Sequence, residues 1–237
     1  MPNSSGWSAN RAQRRWSRPT TSGSPRGWTA FSGCTRAGWP SWDATPTLVG
    51  RHVTLRPLVA ADKDALVAAA SADGLWDLFY ANVALMKAPD RWLAAAFEQQ
   101  DFGRARVFAV VVDGIVRGST RFMRMSAANK RLEIGGTFYA TAVQRTGVNT
   151  EAKRMLLAHA FDTLGCECVQ IRTDSLNKRS QAAIERLGAK RDGVLRGHQV
   201  MADGRLRDTI VYSILRHEWP GVRQNLTYLL ARHEDRA

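Results

Sequence analysis

A helix from Thr150 to Leu164 constrains this sequence more than any other feature: Ala152, Met155, Leu156, Ala160, Phe161 and Leu164 fall on one face at helical spacing. An apolar stripe of that width must be covered by another layer, and strand-like runs flank it, Leu132 to Tyr139 before and Cys168 to Thr173 after. Upstream, Val107 to Val112 is rich in β-branched residues and stops at Asp113-Gly114, a dipeptide suited to a two-residue hairpin. Ile115 to Met125 is expected to return beside it. Downstream, Ser175 to Leu187 closes with Gly188 and reads as a short helix, and strands at Gly193 to Met201 and Arg207 to Leu215 flank the turn Ala202-Asp203-Gly204. Arg51 to Leu58 reads as the first strand, Ala60 to Ala70 and Pro89 to Gln99 as helices, and His217 to Arg232 as a terminal helix. The sum is an α/β fold with a mixed, mostly antiparallel central sheet flanked by helices.

Residues 1–45 read differently. Five of the eight tryptophans lie there, scattered among Ser, Gly, Pro, Thr and Arg without helical or strand periodicity, so the segment is expected to be a disordered basic extension, with the folded domain spanning 46–237. Six arginines and no acidic residue in the first 42 positions supply about half of the net charge of +13. A targeting peptide, a nucleic-acid arm and an upstream extension without a selected role all fit that composition. No apolar run approaches the roughly 20 residues of a membrane span, which argues against a membrane protein. The three cysteines, Cys34, Cys166 and Cys168, show no framework spacing, as expected of a cytoplasmic chain.

The chemistry is concentrated in Gln144-Arg145-Thr146-Gly147-Val148-Asn149-Thr150, a loop feeding the long helix. Free backbone N–H groups and the positive end of the helix dipole converge at such a place and bind phosphate. Gly147 would let the backbone approach the ligand, and the Thr150 hydroxyl would either cap the helix or donate to a phosphate oxygen. The segment has neither the Lys-Ser/Thr of a nucleoside-triphosphate loop nor the three glycines of a dinucleotide fold.

Three blocks together resemble the GNAT acetyltransferases, and within them the Rim-like branch of ribosomal-protein N-terminal acetyltransferases. They are Leu132-Glu133-Ile134-Gly135, Gln144 to Lys153, and Asn177-Lys178-Arg179-Ser180 through Glu185-Arg186-Leu187-Gly188-Ala189. The resemblance runs from about Leu48 to Trp219. It implies an acetyl-CoA-dependent N-acetyltransferase in which the cofactor lies between two splayed parallel strands, here Leu132 to Tyr139 and Cys168 to Thr173. The pantetheine would pair with the first strand at Ile134, and the pyrophosphate would sit on Gln144 to Thr150. A primary amine, of a protein N-terminus or a small molecule, would attack the thioester directly in a ternary complex. By the same resemblance Glu133 is the candidate base, Asn177 contacts the pantetheine, and Ser180 lies near the thioester sulfur as acid or orienting donor. Family members that use a tyrosine acid have no counterpart here between Tyr139 and Tyr212. The family's loop carries a small residue where Asn149 stands, and many relatives carry an aromatic residue where Gly136 stands. Members of the family are often monomers or homodimers.

Two of these assignments have structural alternatives on residue chemistry alone: Glu133 as a salt-bridged glutamate, and Asn177 as a helix cap. No metal site is expected, because the five histidines are dispersed and Cys166 and Cys168 lack a second ligand pair. From other functional classes, a nucleic-acid or ribosome-binding module would exploit the net charge, with nucleic acid the competing rather than the expected partner. A non-catalytic acetyl-CoA sensor would bind the cofactor without turnover.

Overall fold

The computed structural model describes residues 42–71 and 84–234, so the expected extension lies outside the described residues except for its last four. Eight strands form one sheet: β1 (Leu48–Val49), β2 (Thr54–Pro57), β3 (Ala105–Val112), β4 (Ile115–Ser126), β5 (Arg131–Tyr139), β6 (Cys168–Asp174), β7 (Lys190–Val200) and β8 (Leu206–Leu215). The spatial order is β1-β2-β3-β4-β5-β6-β8-β7. Every neighbouring pair is antiparallel except β5 and β6. Asp113 and Gly114 turn β3 into β4 with φ of 51° and 76°, the positive values that a tight turn between right-twisted strands demands.

Helices α1 (Lys63–Ser71), α2 (Ala84–Lys87) and α3 (Pro89–Asp101) lie on one face, and α4 (Val148–Ala158) and α6 (Trp219–Glu234) on the other, with α5 (Lys178–Arg186) following β6. Each face has its own apolar cluster. Leu66, Ala70, Leu93 and Ala96 meet Ala105, Val107 and Ala109 on the first. Leu156, Leu157, Phe161 and Leu226 meet Leu55, Phe108, Phe122, Leu132 and Ile134 on the second, which Trp42 also joins. Leu156 and Leu157 are fully buried, each contributing about 1.5–3 kcal/mol of transfer free energy. The long helix begins at Val148, two residues before the expected start, because the Thr146 hydroxyl accepts the Val148 N–H at 3.3 Å. Its last turn widens into a π segment at His159–Thr163, where Asp162 accepts the Trp219 indole N–H at 3.0 Å.

A carboxylate ties the N-terminal strands to this helix. Glu151, in the first turn of α4 and 4% exposed, accepts the backbone N–H groups of Arg51, His52 and Val53 at 2.9, 2.6 and 3.1 Å. Gly50 is required beside it, since a Cβ there would stand 2.5 Å from the carboxylate. Truncating Glu151 leaves three N–H groups without their acceptor. Glu151→Ala should therefore lower unfolding free energy by about 3 kcal/mol, read as a shift in the urea midpoint; a change inside experimental error would assign the anchoring elsewhere.

Candidate functional site

The parallel ladder between β5 and β6 is short. It pairs Arg131 with Cys168, Leu132 with Val169 and Glu133 with Gln170, then stops, although β5 continues to Tyr139 and β6 to Asp174. Beyond that point each strand stays with its outer neighbour, β5 with β4 as far as Tyr139 and β6 with β8 as far as Asp174. The sheet opens into a wedge whose β5 wall has backbone groups with no partner strand. A bulge accompanies the opening: Arg121 pairs with Gly135 and Ser119 with Phe138, so β5 carries an extra residue, and Gly136 takes φ of 56°. The Arg121 side chain lies over Gly136, where a Cβ would meet it at 2.7 Å.

The loop before α4 sits at the wedge end of β5. Gln144 fastens it there, donating to the Tyr139 carbonyl at 2.8 Å and accepting from Arg179 of α5. Arg145 adopts φ of 63°, a left-handed conformation that costs a non-glycine residue on the order of 1 kcal/mol and turns successive N–H groups toward a common point. The N–H groups of Arg145, Thr146, Gly147, Asn149 and Thr150 find no acceptor among the described residues. Thr150 has no exposed surface, but the other four free donors, with the Arg145 side chain exposed beside them, suit a diphosphate. Gly147 is needed for space rather than for its backbone angle: φ is −65°, and a Cβ would come 3.1 Å from the His52 ring.

A family model described as "Acetyltransferase (GNAT) domain" matches residues 52–190. The chain belongs to the GNAT acetyltransferase family. It is 31% identical to a GCN5-related N-acetyltransferase from Brucella melitensis, whose structure superposes with a TM-score of 0.71 over 79% of this chain and 86% of that one. It is 30% identical to a Bacillus subtilis protein named "Putative ribosomal N-acetyltransferase YdaF", over 47% of this chain. The chain spans 60% of that relative's length. RimJ of Mycobacterium smegmatis, solved in complex with CoA-disulfide, shares the fold with a TM-score of 0.64 at 22% identity, over 75% of this chain and 88% of that one.

Within this GNAT frame the expected site residues divide into those that face the wedge and loop and those that do not. Glu133 is the last residue of the parallel ladder and 4% exposed; its Oε2 meets Arg124 at 2.7 Å and Arg172 at 3.1 Å, while Oε1 lies on the Gly135 side. Asn177 caps α5, its Oδ1 accepting the Ser180 N–H at 2.9 Å. The half-buried Ser180 hydroxyl has no hydrogen-bond partner among the described residues. Ile134 points its side chain into the core, so only its backbone borders the wedge. Val148 offers neither group to a ligand, because its side chain is in the core and its N–H is taken by Thr146. The Thr150 hydroxyl does not cap the helix: Gly147 holds that position, and the buried hydroxyl accepts from Arg186 at 3.2 Å. Burial pushes the Cys166 thiol up to about 12, the behaviour of a core residue.

Lys153 closes the Gln144 to Lys153 block, but the sequence assigns it no role. It points inward from α4, is 6% exposed, and donates to the Thr137 hydroxyl at 2.8 Å, which in turn bonds Thr120 at 2.8 Å. Burial holds its amine down to about 7. Between the ordinary lysine value near 10.5 and about 7, the unfolded chain carries a proton that the folded chain does not, so stability drops as pH falls through that window. Lys153→Met removes this cost. Its unfolding free energy should exceed that of the parent chain, with a gap that widens from pH 10 toward pH 7 by several kcal/mol, roughly 4 at the upper limit. A gap that does not change across a pH series of urea titrations would show that the amine is not held neutral by burial.

Proposed function

We infer that this chain transfers an acetyl group from acetyl-CoA to a primary amine, of a protein N-terminus or a small molecule, in a ternary complex. The observation that carries the reading is the coincidence of an opened parallel strand pair with a loop of unpaired N–H groups at its mouth. The loop, with Arg145, would hold the diphosphate, and the unpartnered edge of β5 at Ile134 would pair with the extended pantetheine as a strand does. Bound acetyl-CoA supplies an activated carbonyl at the point where β5 and β6 part.

Glu133 stands at that point. With Oε2 engaged by two arginines, its Oε1 is the atom available to receive the ammonium proton, directly or through a water, and its orientation is fixed by those ion pairs. Asn177 shapes the entry of α5 by capping it, and the Ser180 hydroxyl is free to orient the sulfur end of the donor. A serine is a poor acid for a thiolate, so its contribution is electrostatic rather than a full proton transfer.

Thermal unfolding of the full chain with excess acetyl-CoA, ATP or NAD tests the cofactor. A ligand at 100 times its dissociation constant adds about 2.7 kcal/mol, or roughly 5 to 10 °C for a domain of this size. Acetyl-CoA alone should produce the shift, and equal midpoints in all three would end the acetyltransferase reading. Gly147→Val, which drives a side chain against His52, should lose the shift. Glu133→Gln should keep it while lowering kcat in a thiol-release assay with a working acceptor; an unchanged kcat would remove Glu133 as base.

A further inference from the structure

The sheet face opposite α4 carries a layer of arginines beside Glu133. On β6, Gln170, Arg172 and Asp174 alternate with Val169 and Ile171 of the core, and on β8, Arg207 and Thr209 alternate with Ile210 and Tyr212. Arg124 and Arg172 share Glu133, at 2.7 and 3.1 Å. Arg205 and Arg207 share Asp174, at 2.7 and 3.8 Å. Arg131 and Arg172 share the Gln170 carbonyl oxygen, at 2.5 and 3.1 Å. Four guanidinium groups thus gather around two carboxylates, with a fifth, Arg131, on the neighbouring amide.

Arg124 is 44% exposed, but three of its neighbours are not solvated surface charges. The side chains of Arg172, Arg205 and Arg207 are only 17%, 24% and 21% exposed. Burial, above all, lowers the Arg207 guanidinium from its ordinary value, against the pull of Asp174. A nearby reporter agrees: His198, which bonds Thr209 at 3.0 Å, is held below the usual histidine range by burial and then by Arg172, Arg124 and Arg207, with Glu133 alone opposing. Among the described residues Arg124, Arg172 and Arg207 have only Glu133 and Asp174 as ion-pair partners; a carboxylate that enters a partly desolvated cationic cluster is stabilised, and planar guanidinium forks favour that geometry. Arg172 lies two residues past the end of the parallel ladder, on the part of β6 that borders the wedge, so the cluster begins where the reaction is placed.

We propose that the acceptor is a primary amine bearing a carboxylate, the amine received beside Glu133 and the carboxylate by Arg172 and Arg207. The proposal rests on the acetyltransferase reading for the amine, while the carboxylate site stands on the arginines.

The test uses two matched pairs that differ by one negative charge: alanyl-aspartate amide against alanyl-asparagine amide, and 4-aminobutyrate against 4-aminobutyramide. Binding to the full chain is read by calorimetry with and without CoA, so a chain lacking cofactor affinity still reports on the arginines and the two ideas fail separately. In at least one pair the acid should bind 10-fold or more tightly than the amide. Arg207→Gln should reduce that ratio to about 2-fold or less, and Arg207→Lys should restore part of it. Equal affinities within both pairs, no binding by any of the four, or a preference that survives Arg207→Gln would overturn the proposal.

Discussion

Three residue pairs of parallel ladder hold this molecule together across its middle. Arg131 to Glu133 with Cys168 to Gln170 form the seam between two antiparallel half-sheets, and the wedge depends on that seam ending where it does. Were the ladder to continue, β5 would have no unpartnered edge and no wedge would exist. The outer pairings are what allow it to end. β4 keeps β5 satisfied on one side and β8 keeps β6 satisfied on the other, so the strands part without leaving both edges unpaired. The bulge at Gly136 adds local twist where the opening begins. The apolar layer beneath, from Leu132 and Ile134 to Leu156 and Phe161, spans the two halves and keeps the opening at a fixed width.

Several polar side chains around the opening bond one another or nearby main chain, whereas main-chain donors at its mouth have no partner among the described residues. Gln144, the Asn177 Oδ1 and the Thr150 hydroxyl are engaged in local hydrogen bonds. Without a partner among the described residues are backbone N–H donors of the loop, the Ser180 hydroxyl, the Asn177 Nδ2 and one oxygen of Glu133. Residue types that look functional in a motif are thus partly its framework. On the proposed reading the loop would recognise its ligand through the main chain, and Asn149 would contribute its N–H rather than its side chain.

Much of this architecture was legible in the sequence because it rests on short-range chemistry. The Asp113-Gly114 turn, the apolar face of α4 and the strands on either side of it required no knowledge of distant partners, and their bounds shifted by only a few residues. What could not be read depends on register and on contacts between remote segments. The Gly136 bulge exists only relative to β4, and it inverts the facing of the residues after it. The arginines at 124, 172, 205 and 207 are scattered along the chain and become a cluster only when β4, β6 and β8 are laid side by side. Lys153 is buried because α4 lies flat on the sheet, a contact that the helix's own sequence does not show.

The anchoring of Arg51 to Val53 by Glu151 bears on how the chain is made. The two partners are separated by 98 to 100 residues. A ribosome adding roughly 5–20 residues per second produces the first strands some 5 to 20 seconds before the carboxylate that secures them. During that interval β1 and β2 can be held only by weaker local contacts and by β3 once it emerges. The N-terminal edge of the sheet is therefore the first part to be synthesised and among the last to be locked in place, and the helix turn that locks it is the same one that presents the donors of the loop.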